Sequence, residues 1–241
     1  MQIITAAVIK GGCGKTTTCT ALAQAAAAEG KRVLCIDLDP QANLTAAIGA
    51  DQTGSSYQAL TGAPATIQTT AQGLDALTAS PDLATVKTTP GSAKRLQRAL
   101  EPIKKEYDLI VIDTPPQMGE LTYNALQAST GLLIPLETDN SSLQGLYHIV
   151  DIAHQVQQSN PALSITGVVI TRYDNRPKIN RYIRDVIKDK AQEMGAAFLM
   201  EIRNGVAIRE AAALQTSLYD YAPHSKPAQD YKTLYKTIME A

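Results

Sequence analysis

Short apolar runs rich in β-branched residues alternate along this chain with longer segments whose apolar positions recur at helical spacing. The runs predict strands at Ile3–Ile9, Arg32–Leu38, Leu74–Ala79, Leu109–Asp113, Gly131–Pro135, Ile165–Thr171 and Ala197–Glu201. The longer segments predict helices at Lys15–Glu29 (closed by Gly30), Ala93–Glu106, Leu121–Ser129, Ser141–Ser159, Lys178–Met194, Val206–Leu214 and Pro227–Met239. Several runs, Leu109-Ile110-Val111-Ile112 above all, are continuously apolar rather than alternating, the pattern of a strand buried on both faces. The expected fold is α/β: a mostly parallel twisted sheet of about seven or eight strands with helices on both faces and ligands at the strands' carboxyl ends. Residues 51–73, dominated by Gly, Ser, Thr, Gln and Ala, carry the weakest pattern and are expected at the surface. With no internal repeat and no long low-complexity tract, residues 1–241 read as a single domain.

Composition narrows the class. Hydrophobic residues make up 44%, and no apolar run approaches the ~20 residues that span a bilayer. The first residues read as a strand, without the basic start and cleavage site of a signal peptide. Cys13, Cys19 and Cys35 have neither metal-site nor disulfide-framework spacing, so they are expected as small buried hydrophobes in a reducing cytosol. Lys plus Arg number 22 against 23 Asp plus Glu; this balance neither advertises nucleic acid nor excludes a basic face offset by an acidic one.

The chemistry begins directly after the first strand, at Lys10-Gly11-Gly12-Cys13-Gly14-Lys15-Thr16-Thr17-Thr18, running into an alanine-rich helix. Glycines let the backbone wrap closely around phosphates with its amides inward, and the helix adds the positive end of its dipole. In this P-loop, Lys15 is placed to reach the β- and γ-phosphates and Thr16 to ligate Mg²⁺. Ile9 stands where the strict G-x-x-x-x-G-K-[ST] pattern has its first glycine, and Lys10 follows it. The form K-G-G-x-G-K-T-T resembles the deviant Walker A loop of the ParA/MinD superfamily, which includes partition ATPases, division-site ATPases and the nitrogenase iron protein. That resemblance implies ATP and Mg²⁺ as cofactors, with Gly11, Gly12, Cys13, Gly14, Lys15, Thr16 and Thr17 around the phosphates. It also implies that Lys10 reaches across a homodimer to the partner's ATP.

Two further motifs follow in order. A carboxylate at the end of the second main strand, in Asp37-Leu38-Asp39-Pro40-Gln41-Ala42-Asn43-Leu44-Thr45, can hold Mg²⁺ through water or orient the attacking water. The string resembles the switch I segment of ParA proteins, which makes Asp39 the residue expected to be essential for hydrolysis and leaves Asp37 a supporting role. Tyr107-Asp108-Leu109-Ile110-Val111-Ile112-Asp113-Thr114-Pro115-Pro116 is an apolar strand ending in an acid, the logic of a Walker B site, with Asp113 beside the Mg²⁺ that Thr16 binds. The expected catalytic set is Lys10, Lys15 and Asp39, and the expected metal set Thr16, Asp39 and Asp113.

In the second half, Thr171-Arg172-Tyr173-Asp174-Asn175-Arg176, Ile202-Arg203-Asn204 through Ala211, Tyr219-Asp220 and Ser225-Lys226 resemble ParA segments, although Ile202 replaces a proline and one residue is inserted. Arg172, Ile202 and Asn204 are the candidates for adenine, because both segments follow strands whose ends face the nucleotide. Arg181, Arg184 and Lys188 share one helical face. With Lys190 and Lys226 they are the candidates for DNA backbone, against the plainer reading of a solvated helix that also carries Asp185, Asp189 and Glu193. No cysteine after Cys35 can hold an iron–sulfur cluster, and the stripe Leu234, Ile238, Met239 predicts a core-facing last helix rather than a membrane anchor. The resemblance therefore implies a cytoplasmic partition ATPase, nucleoid-associated when ATP-bound. It would dimerise with ATP, bind non-specific DNA and answer to a ParB-like partner, with no preceding helix-turn-helix and no membrane partner. Alternatives are a MinD-like or cargo-positioning ATPase on a membrane or protein scaffold, and a metabolic ATPase coupled to ligase or reductase chemistry.

Overall fold

The computed structural model describes residues 1–240. Its strands are β1 (Gln2–Ala6), β2 (Val33–Asp37), β3 (Gln68–Thr69), β4 (Asp75–Leu77), β5 (Leu109–Asp113), β6 (Gly131–Leu136), β7 (Ser164–Tyr173) and β8 (Phe198–Arg203). They form one sheet in the order β3-β4-β2-β5-β1-β6-β7-β8, parallel except for the short edge strand β3. The helices are α1 (Lys15–Ala28), α2 (Asn43–Ala47), α3 (Ser55–Thr61), α4 (Arg95–Leu100), α5 (Glu120–Ala128), α6 (Asn140–Gln157), α7 (Lys178–Glu193), α8 (Ala207–Ala213), α9 (Leu218–Tyr221) and α10 (Lys226–Glu240). The expected α/β fold, an eight-stranded and mostly parallel sheet, is what the chain forms.

β2 and β5 are buried at every position, which is why their sequences are apolar without alternation. α1, α2, α8, α9 and α10 contribute to the core on one face of the sheet. α3 to α7 cover the other. α1 is alanine-rich because it packs close, with Ala21, Ala23, Ala25 and Ala26 all buried and β5 and α10 as its neighbours. Tyr231, Leu234, Tyr235 and Ile238 of α10 are buried, so the last helix faces the core as its sequence pattern implied. Among the described residues no helix is long and apolar enough to cross a membrane.

Three expectations need correction. Residues 51–73 are not simply surface: they hold α3 and β3, and Ser55, Ser56, Ala59 and Leu60 are buried. The polar residues hide there because their groups bond the backbone at the end of β4. Thr78 N donates to Ser55 Oγ (2.8 Å), and Ser56 Oγ donates to the Leu77 carbonyl (3.0 Å). The helix expected over Ala93–Glu106 is broken: α4 stops at Leu100, and a 3₁₀ turn covers Lys104–Glu106. Pro102 lacks the amide a helix would need and its ring collides with the carbonyl of Arg98 four residues back. Finally, β1 ends at Ala6 rather than Ile9, while Ala7 and Val8 stay buried as the chain leaves the sheet.

Gly167 of β7 lies against the start of β8. It has φ +152°, and a Cβ there would lie 2.7 Å from the Ala197 carbonyl oxygen and 2.7 Å from Leu199 Cγ. Gly167→Ala is expected to destabilise the chain by about 1–3 kcal/mol, read as a lower urea midpoint at unchanged slope.

Candidate functional site

β1, β2 and β5 run side by side, and the register pairs Ala6 with Asp113 and Asp37 with Asp113. The chain leaving β1 therefore enters the glycine loop beside two strand-terminal carboxylates. Gly12 and Gly14 have φ of +76° and +84°, a conformation that lets the loop fold back on itself before α1 begins. Lys15, 6% exposed, curls inward and donates from Nζ to the Lys10 carbonyl at 2.7 Å. Thr16 Oγ1 donates to Asp113 Oδ2 at 2.6 Å. Gly11, Gly12, Gly14, Lys15, Thr16, Thr17, Asp39 and Arg172 all line one cleft of about 470 Å³, so these expected site residues do converge. Cys13 does not line it: its side chain is fully buried in the core behind the loop, and burial pushes its thiol pKa up. Its part in the loop is therefore its backbone. All three cysteines are free and buried.

The carboxylates divide by their partners. Asp37 accepts from the Thr45 amide and hydroxyl (both 2.8 Å) and from the Asp39 amide (3.0 Å), which pins the first turn after β2. Asp39 Oδ1 accepts only from the Gln41 amide (3.0 Å), and Asp39 lies on the cleft wall. Burial, and then the charge of Asp37, push the Asp113 pKa up against the pull of the Thr16 hydrogen bond. Burial raises Asp37 too, with its Thr45 hydrogen bonds opposing and the Asp39 charge adding. The chain alone thus makes it costly to ionise both carboxylates at the strand ends. A divalent cation beside Thr16 and Asp113 would relieve it, and in that respect the residues fit Mg²⁺. Among the described residues no three Asp, Glu, His or Cys side chains converge on a metal by themselves. Phosphate-bound Mg²⁺ uses only one or two protein ligands, so this suits it.

Lys10 lies at the mouth of the loop. Its ammonium pairs with Asp139 and, at 3.6 Å, with Glu137, while Arg172 Nη1 binds Glu137 from the other side at 3.1 Å. The sequence reading missed this acid pair, although Asp139-Asn140-Ser141-Ser142 is a readable helix start. Asp139 caps α6 by accepting from the Ser141 and Ser142 amides. Arg172 itself has φ +51°, in the left-handed region that non-glycine residues rarely occupy.

Of the adenine candidates, Arg172 and Ile202 lie within strands rather than after them, because β7 runs to Tyr173 and β8 to Arg203, while Asn204 follows β8 as expected. Arg172, Ile202 and Asn204 line a smaller pocket of about 280 Å³ that also touches Gly14 and Thr17. Tyr231, absent from the sequence reading, lines it too, its hydroxyl 3.3 Å from Thr18 Oγ1. Of the five basic candidates, Arg181, Arg184 and Lys226 share a third depression, and Lys188 and Lys190 do not. Arg184 is committed to Asp185 and Glu201, and Lys190 to Glu193.

A parallel sheet, a glycine loop with an inward lysine, and a threonine bonded to a strand-terminal aspartate define a P-loop nucleotide-binding protein. A family model described as an AAA domain matches residues 1–165. The chain is 34% identical to the chromosome-partitioning ATPase Soj of Thermus thermophilus over 95% of its own length and 92% of that protein's. It is 35% identical to the sporulation initiation inhibitor protein Soj of Bacillus subtilis, covering 95% and 94%. A solved structure described as cobyrinic acid a,c-diamide synthase from Mycobacterium smegmatis, with ADP and magnesium, superposes with a TM-score of 0.82 at 29% identity, covering 98% and 93%. The chain belongs to the ParA/Soj-type P-loop ATPases of the ParA/MinD superfamily.

The Asp37–Thr45 contact anchors the segment that presents Asp39. In Thr45→Val, Asp37 loses one donor and the Ala79 amide loses its acceptor at 3.1 Å. The expected cost is about 1–3 kcal/mol of stability, measured by urea denaturation.

Proposed function

We propose that the chain is a ParA-type partition ATPase, acting in the cytoplasm as one ATPase domain and on the nucleoid when ATP-bound. ATP and Mg²⁺ bind at Gly11–Thr17, two subunits close face to face, and the dimer holds DNA through sequence-independent phosphate contacts. A ParB-like partner stimulates hydrolysis, and loss of the γ-phosphate releases the dimer. The observation that carries this reading is the second lysine. Lys15 points into the loop, whereas Lys10 sits at its mouth against Glu137 and Asp139. An ordinary P-loop has no use for a cation there; a site completed by a second copy does. Whole-length identity to the two Soj proteins supports the same reading. Each is closer in sequence than the neighbour named as a diamide synthase.

In this mechanism the loop amides and Lys15 bind the β- and γ-phosphates, and Lys10 leaves its acid pair for the partner's γ-phosphate. Thr16 and Asp113 would hold Mg²⁺, which when bound would supply positive charge to the phosphate oxygens. Asp39, held by one amide only, is the carboxylate free to orient the attacking water. Asp37, with three donors, holds the turn. Arg172, Ile202 and Asn204 provide the adenine side of the site.

Retention on long random-sequence DNA with ATP, and not with ADP or without nucleotide, tests the function. It should weaken as salt rises, and no retention under any nucleotide overturns the DNA reading in favour of a scaffold or membrane. Lys15→Ala is expected to lower turnover by about 10²–10³-fold. Lys10→Ala should still bind ATP as a monomer and fail to dimerise in light scattering; a persisting dimer refutes a role in trans. Asp39→Ala should accumulate as an ATP-bound dimer, and wild-type turnover in it would refute the water-orienting role.

A further inference from the structure

In the second half of α1 one polar side chain stands among alanines. Gln24 is 4% exposed and flanked by the buried Ala23, Ala25 and Ala26. A buried amide is costly unless its ends are paired. Here both are: Gln24 Oε1 accepts from the Leu218 amide (3.0 Å), and Nε2 donates to Gln72 Oε1 (2.8 Å). Gln72, half-buried in the turn between β3 and β4, passes the connection on. Its own Nε2 donates to the Gln215 carbonyl at 2.9 Å and to the Ala47 carbonyl at 3.4 Å. Gln215 Nε2 reaches the Ala46 carbonyl, also at 3.4 Å. Segments distant in sequence (α1, the β3–β4 turn, the residues after α8 and the start of α9) thus meet at the C-terminal end of α2 through neutral amides.

What they hold is the segment that carries Asp39. α2 has five residues, too few to be stable by itself. The carbonyls of a helix's last turn need donors from outside it, and Gln72 and Gln215 supply them for Ala47 and Ala46. From there backbone bonds lead back to the carboxylate. The Ala46 amide donates to the Ala42 carbonyl (3.0 Å), and the Ala42 amide to the Asp39 carbonyl (2.9 Å). Ala42, between them, has φ +54°, a strained conformation for a residue with a Cβ. Such strain persists only where the surroundings fix the chain. Asp37 spans it by bonding Asp39 on one side and Thr45 on the other, and the glutamines hold the far end of the helix. Gln24, Asp39, Asn43 and Ala47 all line the nucleotide cleft, so the brace and the carboxylate it steadies face the same space.

We propose that Gln72, backed by Gln24, is a positioning residue for hydrolysis: it holds α2 against the body of the protein so that Asp39 keeps its place on the cleft wall. The role rests on the proposed function, because it needs Asp39 to orient the attacking water. Lys15 and Thr16 are held by Lys10 and Asp113 instead, so loss of the brace should separate turnover from nucleotide binding. In Gln72→Glu the carboxylate can still accept from Gln24, but it faces the Ala47 and Gln215 carbonyls as a charge without a donor.

The test follows the full chain, with Mg²⁺ and saturating ATP, through a single turnover. Gln72→Glu and Gln72→Ala are each expected to slow hydrolysis about tenfold, with affinity for a non-hydrolysable ATP analogue unchanged. With that analogue bound, the amides of residues 44–48 should exchange with deuterium faster than in the parent, while those of residues 18–26 do not. The alanine variant adds no charge and carries the test where the glutamate variant folds poorly. Parental turnover in both variants, turnover and affinity falling together, or slowed turnover with unaltered exchange at α2 each overturns the positioning role and leaves the ATPase reading standing. A parent chain that hydrolyses no ATP overturns that reading, and the role with it.

Discussion

The hydrogen bond from Thr16 to Asp113 joins the first residues of α1 to the end of a central strand, and the rest of the site is arranged around it. Asp113 is fully buried, and the parallel register sets Asp37 beside it. Two carboxylates in one buried place are costly to ionise together. The chain meets part of that cost with donors: Thr16 for Asp113, and Thr45 and Asp39 for Asp37. The remainder shows as the upward push on both pKa values. A site built this way stores an unmet demand for positive charge, and a metal-bearing phosphate ligand meets it. Ligand binding and the order of the segments carrying Thr16, Thr45 and Asp39 are then one electrostatic problem.

The two lysines answer that demand differently. Lys15 is buried and held by a backbone carbonyl, which stabilises its position without neutralising its charge. Lys10 is neutralised by Glu137 and Asp139, the latter 41% exposed, where water screens the attraction. The inner cation is available to any nucleotide. The outer one is held by contacts weak enough to exchange, which is what a residue serving a second copy requires.

Legibility followed the length scale of each signal. β2 and β5 were readable because burial on both faces leaves an unbroken apolar run, and the loop because glycines, lysine and threonine must stand in fixed order. The five-residue α2 is too short for any helical period to register, and α3 was masked by serines that are buried through hydrogen bonds to the edge of β4. Pro102 was a visible helix breaker that the apolar period outweighed. The basic helix was read as a stripe, but membership of a common surface depends on which cations already have acids. Glu201 and Asp230 come from β8 and α10, so no spacing along α7 could have revealed those pairs.

The same reasoning explains why the β8 end of the sheet, and not the body of α7, gathers functional chemistry. β7 continues two residues past Thr171, which carries Arg172 to the nucleotide cleft and Tyr173 to the neighbouring depression. The left-handed backbone at Arg172 re-aims the chain there, and one strand end serves both. β8 repeats the arrangement: Ile202 is buried, while Arg203 turns to Asp230 of α10 and holds that helix against the strand end. α10 in turn places Tyr231 beside the adenine-side pocket and Lys226 at the depression. A shift of α10 by a fraction of a turn would therefore alter both at once. Asp230 is buried and binds Arg203 through both of its oxygens, so the helix and the strand end are tied together at this point.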